Sequence, residues 1–143
     1  MSADRAEHVA TVIRPALESG SWVFSDRFAT ATFAYQGYGR GLPLAALREL
    51  TAFATGGLEP DVVLLVDVPV SVSRERVAAR AKAMGIAIDR LEREDDAFHE
   101  RVRAGYLALA GDDPRIHVLD GMRPASDLVD EAERILGAAV LPA

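Results

Sequence analysis

The sequence predicts an α/β fold, a parallel sheet with flanking helices, on three observations. Strand-like and helix-like segments alternate along the chain, the pattern of parallel strands joined by right-handed crossovers. The run VVLLV between Asp61 and Val68 is apolar without alternation, as in a strand buried on both faces of such a sheet. The strand-like segments also run out onto Asp26-Arg27, Asp67 and Asp120-Gly121, which places these residues on the carboxyl edge where ligands of such sheets bind.

Each element follows from local signals. Ser2 is placed to cap a helix whose apolar residues Val9, Val12, Ile13 and Leu17 recur at helical spacing until Gly20, with a kink expected at Pro15. Trp22 to Ser25 is short, apolar and β-prone, and reads as the first strand. A helix from about Ala29 to Tyr38 follows, then a turn through Gly37, Gly39 and Gly41. Leu42-Pro43 starts a helix that runs to about Thr55 and stops at Gly56-Gly57. Asp61 to Val68 is the second strand, and Pro69 opens a helix to about Met84. A charged connector with Gly85 and Asp89-Arg90-Leu91-Glu92 leads to a helix from about Asp95 to Ala110; Arg115 to Leu119 is the third strand and Ala125 to Ala138 the last helix.

At 143 residues, half of them apolar, residues 1–143 are expected to form a single domain. No apolar run approaches bilayer length and no charged-then-apolar leader opens the chain, so the expectation is a cytoplasmic protein without membrane partners. The absence of cysteine excludes disulfides, thiolate zinc sites and a cysteine nucleophile. A net charge of −6 argues against general nucleic-acid binding, which needs a basic face. Arginine outnumbers lysine fifteen to one, Lys82 being the single lysine, a bias that genome composition explains as readily as phosphate recognition.

Asp26-Arg27 is the strongest local pair. A guanidinium fork matches two phosphate oxygens, and a neighbouring carboxylate can hold Mg²⁺ directly or through water; a strand-end ion pair is the plainer alternative. Thr32, Tyr35 and Gln36 stand at i, i+3 and i+4 and share one helix face beside that pair. A small phosphorylated molecule would fit there. Arg76, Arg80, Lys82, Arg90 and Arg93 surround the connector, and Arg80 and Arg90 bracket its loop. A solvated, ion-paired helix is the simpler reading of Arg76 and Arg93. His8, His99 and His117 are scattered without metal-ligand spacing.

The strings DRFATATFAYQGYGRG, PDVVLLVDV and DRLERED followed by FHERVRAGY, in that order, resemble the bacterial thymidylate kinases, and the likeness runs from about Asp4 to the last helix. The resemblance implies a P-loop nucleoside monophosphate kinase fold that lacks its first two strands, because no glycine here precedes a lysine and GxxxxGK[ST] does not occur. It implies transfer of the ATP γ-phosphate to dTMP with Mg²⁺, giving dTDP, in a homodimer, with this chain alone inactive. The resemblance assigns the dTMP phosphate to Arg27, the metal to Asp26, the base to Arg5 and Thr32, and exclusion of a ribose 2′-OH to Tyr35, with Gln36 close by. A base-stacking aromatic would fall at Met1. Residues of about 80–94 would form a mobile lid with Arg80 and Arg90 as catalytic arginines, Asp89 and Glu92 in its DR-hydrophobic-E pattern, and Glu92 near the sugar; Met122 and Arg123 would lie in the adenine-contacting loop. The strand bearing the ATP loop would lie between those ending at Asp26 and Asp67, so two unpaired edges and a tendency to associate are expected. Two alternatives stay open: a non-catalytic nucleotide-monophosphate-binding or dimerisation module, and another nucleoside monophosphate kinase.

Overall fold

A computed structural model describes residues 2–87 and 91–140. The chain divides into two compact units, Met1–Pro60 and Asp61–Ala143.

The first unit is helical. Helix α1 (Ser2–His8) passes through a π-helical turn, Val9–Ile13, into α2 (Arg14–Glu18). The widened turn stands immediately before Pro15, whose ring cannot donate a backbone hydrogen bond and crowds the preceding turn; the Arg14 N–H reaches back five residues to Val9 O. The irregularity that Pro15 brings to this helix is a widened turn just before it. Val9 and Ile13 are buried. Helix α3 (Ala29–Thr32) widens into a second π-helical segment, Phe33–Gly39, and α4 (Leu44–Thr55) packs against α1 and that segment. Gly37 lets α4 come close, because a Cβ there would run into the Leu44 side chain. Arg14 Nη2 donates to Thr55 O at 3.1 Å and Gly56 O at 2.9 Å, a cation placed on the carbonyl end of α4, while Gly56 takes the left-handed conformation that ends the helix.

Trp22 to Ser25 departs from expectation. It joins no strand ladder among the described residues, and Trp22 and Phe24 are exposed, their rings stacked at 6.1 Å. Local β-propensity does not make a strand without a neighbouring backbone to pair with.

The second unit holds the sheet. Strands β1 (Val63–Asp67) and β2 (Ile116–Asp120) are parallel, in register from Val63 opposite Ile116 to Asp67 opposite Asp120. Helix α5 (Val70–Met84) packs on α6 (Asp96–Asp112), and α6 and α7 (Ala125–Val140) pack on β2. Asp95 caps α6, its Oδ1 accepting from the Phe98 N–H at 2.7 Å. Val70, Phe98, Val102, Leu109, Ile116, Leu119 and Ile135 are the core. The expectation of a strand buried on both faces fails for β1: Val66 is 51% exposed, and Val118 on β2 is 45% exposed. A sheet of two strands is too narrow to cover both of its own faces.

Candidate functional site

Four of the expected residues make contacts within the first unit. Arg5, on α1, sends Nη2 to Phe28 O at 3.1 Å and to Thr32 Oγ1 at 2.9 Å, and its guanidinium lies over the Phe28 ring at 5.6 Å. Thr32 is buried. Burial lowers the proton affinity of Arg5 below the ordinary arginine value, although the group stays a cation. The remaining amino group, Nη1, is buried without a hydrogen-bond partner among the described residues. A buried donor on a cation without an acceptor is costly, and its N–H hydrogens would be satisfied by an acceptor brought against them.

Arg27 stands on the same segment at the Asp26-Arg27 bend, with φ +60°, the only positive φ at a non-glycine among the described residues. Its guanidinium sits 5.8 Å from the centre of the Tyr35 ring, in the range of a cation–π contact. Left-handed backbone at a non-glycine residue costs energy and persists where surrounding contacts enforce it, often at ligand sites. The structure thus makes two contacts among the expected residues, Arg5 with Phe28 and Thr32, and Arg27 with Tyr35. Gln36 closes the turn after them, its carbonyl accepting from the Leu42 N–H at 3.0 Å. Asp26 is exposed.

In the second unit, Asp67 and Asp120 are register partners at the carboxyl ends of β1 and β2, as the sheet rule predicts. Asp67 is taken by Arg103 in a two-pronged pair: Nε to Oδ1 and Nη2 to Oδ2, both 2.8 Å. These hydrogen bonds hold the Asp67 carboxyl below the ordinary range and raise Arg103 above its own. The Gly121 N–H donates to Asp67 O at 2.8 Å, and a Cβ on Gly121 would come within 2.8 Å of that carbonyl oxygen. Asp120 Oδ1 accepts from the Met122 N–H at 2.9 Å, leaving the Met122 side chain exposed. Arg123 pairs with Glu131 and lies 3.6 Å from Asp127 on α7.

Arg80 Nη2 meets Glu92 Oε1 at 2.9 Å, so a candidate catalytic arginine and the expected sugar contact satisfy each other. Met1, Asp89 and Arg90 lie outside the described residues. Arg76, read as a solvated surface residue, donates from both Nη1 and Nη2 to Gly121 O at 3.1 Å. Sequence reasoning missed the roles of Arg74, Arg103 and Arg14. Arg103 stands seven residues after Asp96 in an ordinary helical pattern, and nothing local points it toward a carboxylate 36 positions earlier.

The α/β fold with a parallel sheet, acidic residues at its carboxyl edge and a separate arginine–threonine cluster is of the class to which the P-loop nucleoside monophosphate kinases belong. A family model described as thymidylate kinase matches residues 1–132. Curated relatives named thymidylate kinase include those of Desulfovibrio desulfuricans, 52% identical over 130 residues covering 89% of this chain and 60% of the relative, and of Cupriavidus necator, 50% identical over 138 residues covering 95% and 65%. A third, from Cyanothece sp., is 45% identical over 136 residues, covering 94% of this chain and 58% of the relative. The chain belongs to the thymidylate kinase family. It spans about 60% of the length of the curated relatives it matches.

Proposed function

We propose that this chain supplies the dTMP-binding part of a thymidylate kinase, which transfers the γ-phosphate of ATP to dTMP. The observation that carries the reading is the buried Nη1 of Arg5, without a hydrogen-bond partner among the described residues, on a guanidinium that is held to Thr32. Arg5 Nη1 offers a donor to a carbonyl of the base, and Thr32, already accepting from Arg5, can donate through its hydroxyl hydrogen. Arg27 grips the dTMP phosphate with its fork, and Tyr35 forms the wall that rejects a ribose 2′-OH, with Gln36 beside it.

In the reaction an oxygen of the dTMP phosphate bonds to the γ-phosphorus while the bond to the β–γ bridging oxygen breaks, and ADP leaves with that electron pair. Positioning and positive charge on the transferring oxygens supply the catalysis. Arg90 and Arg80 are the lid arginines of this scheme, within a lid of about residues 80–94. Glu92 must release Arg80 first; that pair, 58% exposed on the arginine side, is worth at most about 1 kcal/mol and opens readily. Mg²⁺, when bound, neutralises charge on the ATP phosphates. Among the described residues no group of three or more acidic, histidine or cysteine side chains could hold a metal, and Asp26 is an exposed carboxylate. One carboxylate plus phosphate oxygens and water is the ligand set Mg²⁺ prefers, so Asp26 fits it. Met122 and Arg123 are the proposed adenine contacts.

No described helix is long and apolar enough to cross a membrane, and a cytoplasmic homodimer acting as one domain is the setting proposed for this chemistry. The 143 residues contain no GxxxxGK[ST] loop, so this chain by itself is expected to bind dTMP without turning it over. Calorimetry with dTMP and a coupled assay of dTDP formation test both halves. Binding without turnover fits this reading and the non-catalytic module alike, no binding of dTMP sinks both, robust dTDP formation by this chain alone sinks the expectation that it is inactive, and preference for dUMP, dCMP or dGMP would reassign it to another nucleoside monophosphate kinase. The second reading, a non-catalytic nucleotide-monophosphate-binding module, is favoured by the fact that Arg5, Arg27, Thr32 and Tyr35 all lie in the unit Met1–Pro60.

A further inference from the structure

Arg74, on the second turn of α5, reaches three acceptors in the segment that leads into α6. Its Nη1 donates to Glu92 O at 3.2 Å and to Glu94 O at 3.0 Å, and its Nε lies 2.8 Å from Asp96 Oδ1 at the first residue of α6. The side chain is 40% exposed, whereas Asp96 is 72% exposed, so the two carbonyl contacts are the better sheltered part of the arrangement. Six residues further along α5, Arg80 holds the carboxylate of Glu92. One helix therefore grips Glu92 at both ends, by its carbonyl from Arg74 and by its carboxylate from Arg80. Residues 91–95 form turns and a bend before α6, with the Glu94 N–H donating to Leu91 O at 3.2 Å. A planar guanidinium with several donors at fixed angles can hold two successive carbonyls and a carboxylate, which a point-charge ammonium does with far less geometric control.

We propose that Arg74 is a positioning residue, which fixes residues 91–96 on α5 and thereby sets where Glu92 holds Arg80. It deepens the kinase reading, since it specifies what orients a proposed lid arginine, yet its physical content stands apart from nucleotide binding. Arg74 touches neither substrate nor reacting atoms in this scheme; it acts through Glu92.

Two measurements on the 143-residue chain test it. The first is tryptic cleavage of the Arg93–Glu94 bond, followed by mass spectrometry against cleavage after Arg48 in α4. A protease must draw the chain around that bond into an extended form, and the Arg74 contacts to the carbonyls on either side oppose this. Arg74→Ala is expected to speed cleavage there at least about tenfold, the scale of losing charge-assisted hydrogen bonds, while cleavage after Arg48 stays constant. The second is the NMR signature of the Arg80 guanidinium, whose slowed rotation reports its pairing with Glu92. Arg74→Ala is expected to average those signals, whereas Glu92→Gln averages them without exposing the Arg93–Glu94 bond. Arg74→Gln, which keeps the stem and one donor, serves if the alanine variant folds poorly. Unchanged cleavage and an unchanged Arg80 signal in a folded Arg74 variant overturn the proposal. Neither result depends on dTMP, so failure here is distinct from failure of the kinase reading, which the dTMP titration of the unaltered chain decides.

Discussion

Arg5 Nη2 donates to Thr32 Oγ1 across 2.9 Å, tying the first helix to the helix that follows the Asp26-Arg27 bend. The same nitrogen also holds Phe28 O, so the guanidinium is oriented before any ligand arrives while Nη1 stays unpaired. A donor whose desolvation has already been incurred is the arrangement that makes a hydrogen bond to a ligand most favourable.

Arg5→Ala is therefore expected to weaken dTMP binding by about tenfold to a hundredfold, the range for a hydrogen bond from a charged donor. Arg5→Lys is expected to recover little of it, because one ammonium cannot hold Phe28 O and Thr32 Oγ1 and still face the base. Calorimetry with dTMP measures both. Full affinity in either variant would remove Arg5 from the site.

Gly121 is a packing constraint. A side chain there would meet Asp67 O and Val66 Cγ1, each at 2.8 Å, at the point where β1 and β2 end side by side. The carbonyl cannot give way without breaking its bond from the Gly121 N–H. Gly121→Ala is expected to destabilise by about 1–3 kcal/mol, the usual cost of forcing atoms into a packed site. A fall in thermal midpoint checks this, and an unshifted midpoint would mean that the strand ends are looser than they stand here.

Asp67 and Arg103 make stability depend on pH. The folded-state pKa of Asp67 lies below its ordinary value of 3.8, chiefly through the Arg103 hydrogen bonds. An unfolded carboxyl then binds protons more readily than the folded one, so the pair's contribution is complete at neutral pH and is lost as pH falls below about 4 and through the folded value. Arg103→Ala is expected to cost about 1–2 kcal/mol at pH 7, reduced for partial exposure, with the difference from the unaltered chain shrinking toward pH 3. Denaturant titrations at the two pH values test the sign. A gap that widened in acid would contradict it.

How much of this was legible beforehand depends on whether the cause was local. The helices from Leu44, Val70, Asp96 and Ala125, and strands β1 and β2, follow from capping residues, proline and glycine punctuation and apolar runs, and they stand within a few residues of where those signals place them. Tyr35 stands in the π-helical segment Phe33–Gly39, so the α-helical spacing that set Thr32, Tyr35 and Gln36 on one face does not carry over to it. Trp22 to Ser25 carried an equally clear local signal and is no strand here, because a strand is a property of two backbones. Arg14, Arg74 and Arg103 were invisible as functional or structural contacts: each reaches an acceptor 18 to 42 positions away, and no periodicity encodes such a distance. The left-handed φ of Arg27 was hidden too, since arginine, unlike glycine or asparagine, gives no warning of it.

Arg27 shows where stability and binding part company. A non-glycine residue at φ +60° carries about 1–2 kcal/mol of backbone strain, which glycine would relieve. Against that, glycine adds freedom to the unfolded chain worth roughly 0.5–1 kcal/mol, and the contact over Tyr35 at 5.8 Å, on an exposed side chain, is worth about as much. The opposing effects nearly cancel, so Arg27→Gly is expected to leave the unfolding free energy within about 1 kcal/mol of the unaltered chain. Binding has no such compensation: losing the phosphate fork is expected to lower dTMP affinity by at least about tenfold, and to lower affinity for thymidine, which has no phosphate, hardly at all. Parallel titrations with the nucleotide and the nucleoside separate the two effects. An equal loss for both ligands would show that Arg27 shapes the pocket through Tyr35 and does not grip the phosphate.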